Sequence, residues 1–157
     1  MTSRRAPRTR RQVRERPARY TIVTPGPVVV DASIAYLWFA NEPDHWGAAR
    51  LLEADSLLLA PDLMALEAAN AWWKKLRRRE MDIADVEQAV TNLLALDIEW
   101  MPSAALVRSA ARLASELGHP VYDCAYLVLS ASRSAALATA DEGLRKAANR
   151  LGISIWN

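Results

Sequence analysis

The chain is short of the residues that staple or interrupt small folds. It holds one cysteine, Cys124, set in an apolar stretch. A single thiol excludes an internal disulfide and any cysteine-rich metal site, and it fits a reducing cytosol. Glycine is scarce at 5 residues while apolar residues reach 52%, a balance that points to an ordered, helix-rich globule. No apolar run approaches the roughly 20 residues of a membrane span. No apolar h-region follows the basic start, so neither a secretory signal nor a membrane partner is expected, and the expected location is cytoplasmic. At 157 residues the chain suits one domain with a sizeable core.

Charge is unevenly spread. Residues 1–20 carry eight arginines against Glu15 alone, a net +7. Residues 21–157 carry 12 basic and 17 acidic side chains, a net −5. The overall +2 and the pI near 8.9 therefore belong to the tail. An acidic body is not a general nucleic-acid-coating surface. Residues 1–26, with Pro7, Pro17, Pro25 and Gly26, show no helical or strand period and are expected to be a disordered extension to a domain spanning 27–157. Three readings of the extension stay open: an arm for RNA phosphates, an unstructured leader, or a product of translation assigned too far upstream of Val28.

From Pro27 onward, short apolar runs alternate with amphipathic stretches. Strands are expected at 27–31, 57–60, 98–101, 136–139 and 153–156. Helices are expected at about 33–40, 44–54, 62–79, 83–96, 103–117, 121–133 and 142–151. The strands are solidly apolar, as required when helices cover both faces of a sheet. The expected fold class is a three-layer α/β/α domain around a parallel sheet of about five strands.

Four acids share one kind of position in this pattern. Asp31 follows Val28-Val29-Val30. Glu67 lies a few residues beyond Leu57-Leu58-Leu59-Ala60, within the next helix. Asp123 opens a helix after Gly118-His119-Pro120. Asp141 follows Ala136-Leu137-Ala138-Thr139. Strand ends of a parallel sheet meet at one crevice. Carboxylates gathered there repel one another unless a cation lies between them, and all-oxygen ligation suits Mg²⁺ or Mn²⁺. Each acid also has an ordinary reading, as a helix N-cap or an exposed helical side chain. Their common placement is what argues for a site.

Other residues support or border this constellation. Ser33 can donate to a phosphate oxygen or cap its helix, and Thr139 occupies the matching place before Asp141. Asn70, one turn beyond Glu67, can hold that carboxylate or a water bound to the metal. Lys74, Lys75, Arg77, Arg78 and Arg79 close the long helix, ending roughly 15 Å from Glu67 at the helical rise. They read as an RNA or partner contact at the rim, or as cations favouring a helix C-terminus. His45 and His119 read as capping or turn residues, and no Ser-His or Cys-His pair is evident. Trp46, Trp72 and Trp73 read mostly as core or dimer surface, with base stacking less favoured.

The flanking residues also resemble a family. Val30-Asp31-Ala32-Ser33 followed by Trp38 resembles the opening motif of PIN-domain ribonucleases, in particular the VapC-type toxins. Pro61-x-Leu63-x-x-x-Glu67-x-x-Asn70, Tyr122-Asp123-x-x-Tyr126-Leu127-x-Leu129 and Leu137-x-Thr139-x-Asp141-x-x-Leu144 resemble the second, third and fourth. The resemblance covers about residues 28–157; the arginine-rich extension departs from it. It implies a Mg²⁺- or Mn²⁺-dependent endoribonuclease with Asp31, Glu67, Asp123 and Asp141 as metal ligands and Ser33 and Thr139 lining the site. It further implies a structured RNA substrate such as tRNA or rRNA, a cognate antitoxin, and a homodimer. An inhibiting partner is expected to pack apolar side chains along Trp72, Trp73 and the Lys74–Arg79 cluster, and to set a guanidinium on the acids.

Two rivals are weaker. A haloacid-dehalogenase-like phosphatase also places an Asp after its first strand, but it needs a second Asp two residues on, where this chain has Ser33. A non-catalytic RNA- or protein-binding module has no need of four acids.

Overall fold

The computed structural model describes residues 26–44 and 46–156. The expectations for residues 1–25 and for His45 lie outside the described residues. Seven helices and four strands follow one another among those described: β1 (Val28–Val30), α1 (Ala32–Phe39), α2 (Ala48–Glu53), β2 (Leu58–Pro61), α3 (Leu63–Arg77), α4 (Ile83–Leu94), β3 (Ile98–Met101), α5 (Ser103–Leu117), α6 (Val121–Arg133), β4 (Ala136–Ala138) and α7 (Glu142–Arg150). All strand pairings are parallel, in the order β3-β2-β1-β4.

The expected α/β sandwich is present, with four strands where about five were expected. Residues 153–156 contribute a single bridge, Ile155 to Leu137, flanked by backbone bonds from Leu137 to Ser154 (2.8 Å) and from Trp156 to Leu137 (3.0 Å). Gly152, at φ +70°, turns the chain out of α7 into this edge segment. The start of α2 also shifts. The sequence pattern suggested a helix from 44, but the Asp44 carboxylate accepts from the backbone N–H of Ala48 and Ala49, both at 2.8 Å. Gly47 takes φ +72° as the residue before the helix, so α2 begins only at Ala48, with Asp44 capping its N-terminal N–H groups.

Chain order explains where a crevice opens. After β1 the chain builds β2 and β3 on one side, then crosses back to place β4 on the other side of β1. The C-terminal ends of β1 and β4 flank this reversal, where open parallel sheets bind ligands. The backbone N–H of Asp31 donates to the Ala138 carbonyl at 3.0 Å, which fixes the end of β1 against the end of β4.

The core resolves an ambiguity of α3. This helix packs between α1 and α4, so adjacent residues face opposite environments. Trp72 is fully buried. Its ring meets Phe39 edge-on at 6.0 Å and its Nε1 donates to the Tyr36 carbonyl at 3.3 Å. Trp73 is 45% exposed, with the Arg77 guanidinium 5.2 Å from its ring centroid. Trp72 is therefore no surface anchor, contrary to the expectation for an inhibiting partner. Lys75 is also turned inward. Its ammonium pairs with Glu42 at 2.6 Å and Glu80 at 3.4 Å and faces the Tyr36 ring, so its charge is already compensated within the chain. Arg78 is paired with Glu80 at 2.6 Å, whereas Lys74, Arg77 and Arg79 are exposed. Trp72→Ala should cost about 3–5 kcal/mol, the range for emptying a large aromatic site. Trp73→Ala should cost under about 1 kcal/mol. Urea unfolding of the two variants checks the contrast; equal losses would refute this packing.

Candidate active site

Asp31 ends β1 and is 7% exposed. Its Oδ2 accepts from the Ser33 hydroxyl at 2.5 Å and the Thr139 hydroxyl at 2.7 Å. The backbone N–H of Ala140 donates back to Ser33 Oγ at 2.9 Å. The two hydroxyls expected beside the acids are thus the clasp between β1 and β4. Burial pushes the Asp31 carboxyl above its ordinary range, against the hydroxyl bonds that pull it down. A carboxylate buried this deeply without a cation is costly.

Glu67 sits one turn into α3, half-buried. Its Oε2 accepts from the Tyr126 hydroxyl at 2.5 Å. Its carboxyl is raised first by burial and then by the negative charges of Asp31 and Asp123. Asp123, in the first turn of α6, is raised by burial and by the charges of Asp31 and Asp141. His119 Nδ1 lies 3.8 Å from its Oδ2. Asp141 is exposed and caps α7, its Oδ1 accepting from the backbone N–H of Leu144 at 2.7 Å. Gly143 leaves space beside it: a Cβ there would stand 3.0 Å from Asp141 Oδ1 and 3.5 Å from His119 Cε1.

The charges of Asp31 and Asp123 thus act on Glu67, and those of Asp31 and Asp141 act on Asp123, which links the four acids. Asp31, Glu67 and Asp141 each have one oxygen that accepts a hydrogen bond, and one oxygen of Asp123 faces His119. That is the pattern of carboxylates oriented by an outer shell. The donor set is all oxygen and mutually repulsive, which suits a hard divalent cation. Among the described residues, no three acidic, histidine or cysteine side chains are already drawn together into a ligating group. Asn70 is exposed and makes no side-chain hydrogen bond among the described residues; Tyr126 takes the place expected for it beside Glu67.

Two neighbours were not singled out from the sequence as site residues. Tyr126 lies three residues beyond Asp123, on the same side of a helix otherwise lined by aliphatic residues. Its complete burial requires a partner for its hydroxyl, and that need was the available signal. His119, read as a turn residue, stands beside Asp123.

A search of curated proteins gave no significant match. Among solved structures, the crystal structure of PAE2754 from Pyrobaculum aerophilum is similar, at 24% identity and a TM-score of 0.61, covering 77% of this chain and 84% of that one. That likeness concerns the fold. The PIN domain family model matches residues 28–150, a span running from the first strand through the last helix and including all four acids, and on that match this chain belongs to the PIN-domain family.

Proposed function

We propose that this protein is a metal-dependent endoribonuclease acting as the toxin of a type II toxin–antitoxin pair. PIN domains are a nuclease superfamily that generally uses divalent metals, which supports the hydrolase class. The observation that carries the reading is the set of Asp31, Glu67, Asp123 and Asp141: burial raises the first three, and neighbouring carboxylates of the set raise Glu67 and Asp123 further. Nothing in a purely structural role repays such repulsion; a bound Mg²⁺ or Mn²⁺ does, and when bound it would activate water and neutralise phosphate charge.

The chain's own groups have separable tasks. Ser33 and Thr139 hold Asp31 with one oxygen toward the strands' clasp. Tyr126 holds Glu67. A carboxylate only partly engaged in ligation can accept the proton of the attacking water. The 3′ oxygen of the cleaved bond leaves in line with the attack. The substrate on this reading is structured RNA such as tRNA or rRNA. An antitoxin and a homodimer are the proposed partners. The exposed Leu66 and Trp73 on α3 offer such partners apolar anchors.

The test is direct. Purified protein should cut a structured RNA with added Mn²⁺ or Mg²⁺ and stop on chelation. Binding without cleavage under any divalent ion would favour the non-catalytic module. Tyr126→Phe should raise the Mn²⁺ needed for half-maximal cleavage by about 10–100-fold, the usual cost of losing an outer-shell partner. An unchanged Mn²⁺ requirement would remove Tyr126 from the site.

A further inference from the structure

A second constellation adjoins the acids and is built around two arginines. A groove of about 560 Å³ is lined by Asp44, Trp46, Gly47, Arg50, Arg145 and Trp156, among others. Two arginines there lie over two indoles. Arg145 stands 5.1 Å from the Trp46 ring centroid, and Arg50 stands 5.4 Å from that of Trp156.

The fold brings these residues together from three places. Trp46 and Arg50 come from the turn into α2 and its first residues. Arg145 comes from the start of α7. Trp156 follows the Ile155 bridge to β4. Because that bridge is parallel, Trp156 lies toward the same strand ends as the carboxylates. Arg145 makes the link explicit: its Nη1 donates to the Thr139 carbonyl at 3.2 Å, and the Thr139 hydroxyl donates to Asp31.

Both arginines are held in place. Gly47 gives Arg50 its seat, since a Cβ at that position would stand 3.3 Å from its Nε and Nη2. Asp44 is the acid of the groove, but its carboxylate is turned to the backbone N–H groups of Trp46, Ala48 and Ala49. These hydrogen bonds, led by that from Ala49, lower its carboxyl below the ordinary value.

We propose that this groove binds single-stranded RNA flanking the cleaved bond, as a subsite of the nuclease centre. Guanidinium N–H groups of Arg50 and Arg145 take phosphate oxygens, and the arginine-on-indole stacks present flat faces on which bases stack without sequence preference. The assignment rests on the nuclease reading above and adds where the neighbouring nucleotides lie.

The experiment uses the full chain carrying Asp31→Asn, so that RNA is bound and not cut. Anisotropy of a labelled single-stranded RNA 12-mer is followed against salt. Adding Arg50→Gln and Arg145→Gln together should weaken binding at least tenfold. It should also flatten the salt dependence by about 0.7 per lost phosphate contact. The charge-matched control, Arg108→Gln with Arg112→Gln, both on α5, should change either quantity far less. Replacement of both arginines by lysine should recover the salt slope but not the full affinity, because the planar stack is lost. If the double Gln variant binds RNA with parental affinity and slope, the subsite is refuted while the nuclease reading stands. A groove serving a protein partner would give that same unchanged result. If the Asp31→Asn parent binds no RNA and the unsubstituted chain cuts none with Mn²⁺, both readings fall together.

Discussion

Asp31→Asn should abolish RNA cleavage and leave the fold intact, or make it more stable when no metal is present. Asp31 is the most buried of the four acids at 7% exposure, and its Oδ2 joins β1 to β4 through Ser33 and Thr139. Asparagine keeps the shape and one oxygen able to accept from both hydroxyls, so the clasp survives. What is lost is a charge. A metal centre supplies several kcal/mol of transition-state stabilisation, so removing a ligand should cost at least about 10³-fold in rate. In the metal-free protein, that same charge is buried against Glu67 and Asp123, and its removal relieves repulsion. The measurements are single-turnover cleavage with Mn²⁺ and a thermal melt with chelator. A variant that keeps activity, or that unfolds at markedly lower temperature, would sink the assignment of Asp31.

Thermal stability should depend on pH in one direction without metal and be rescued by metal. Asp31, Glu67 and Asp123 all have carboxyls raised in the folded state. A raised carboxyl means that the folded chain holds its proton more tightly than the unfolded chain. The associated stability is complete below the ordinary carboxylate range and is lost as pH climbs through the raised values. The metal-free protein should thus melt at progressively lower temperature from about pH 4 toward neutrality. Asp44 and Asp62 act oppositely, since their hydrogen bonds lower them; their contribution fades as pH falls through those lowered values, which sets an acid limit. Near pH 7.5, Mn²⁺ at a hundredfold excess over its dissociation constant should add about 2.7 kcal/mol, or roughly 5–10 °C for a chain of this size. The increment should shrink as pH falls, because protons compete for the same oxygens. A melting temperature indifferent to Mn²⁺ and Mg²⁺ at every pH would refute the four-acid site.

Much of this was readable along the chain because it is local. Three- and four-residue apolar runs between amphipathic stretches place β1, β2, β3 and β4 within a residue or two of their observed bounds. Asp31 and Asp141 follow from the same pattern, since a carboxylate just beyond a buried parallel strand stands at the sheet's C-terminal edge wherever that strand lies. Local pattern also has limits. Trp72 and Trp73 are adjacent and chemically identical; which one is buried depends on α3 lying between α1 and α4. Lys75 looks like its basic neighbours in sequence, yet it meets Glu42, 33 positions earlier, and is drawn inward. The hydrogen bond from Tyr126 to Glu67 spans 59 positions and the one from Thr139 to Asp31 spans 108. The groove of Trp46, Arg50, Arg145 and Trp156 joins residues from both ends of the fold. Sequence alone placed Asp31 and Asp141 just beyond short apolar strands and Glu67 and Asp123 in the opening turns of helices, because side-chain period and strand polarity are properties of a short segment. Which hydroxyls hold Asp31 and Glu67, and which arginines gather nearby, was decided only by the tertiary structure, where β4 lies against β1 and α6 meets α3, because partners so distant in the chain leave no periodic trace in either segment.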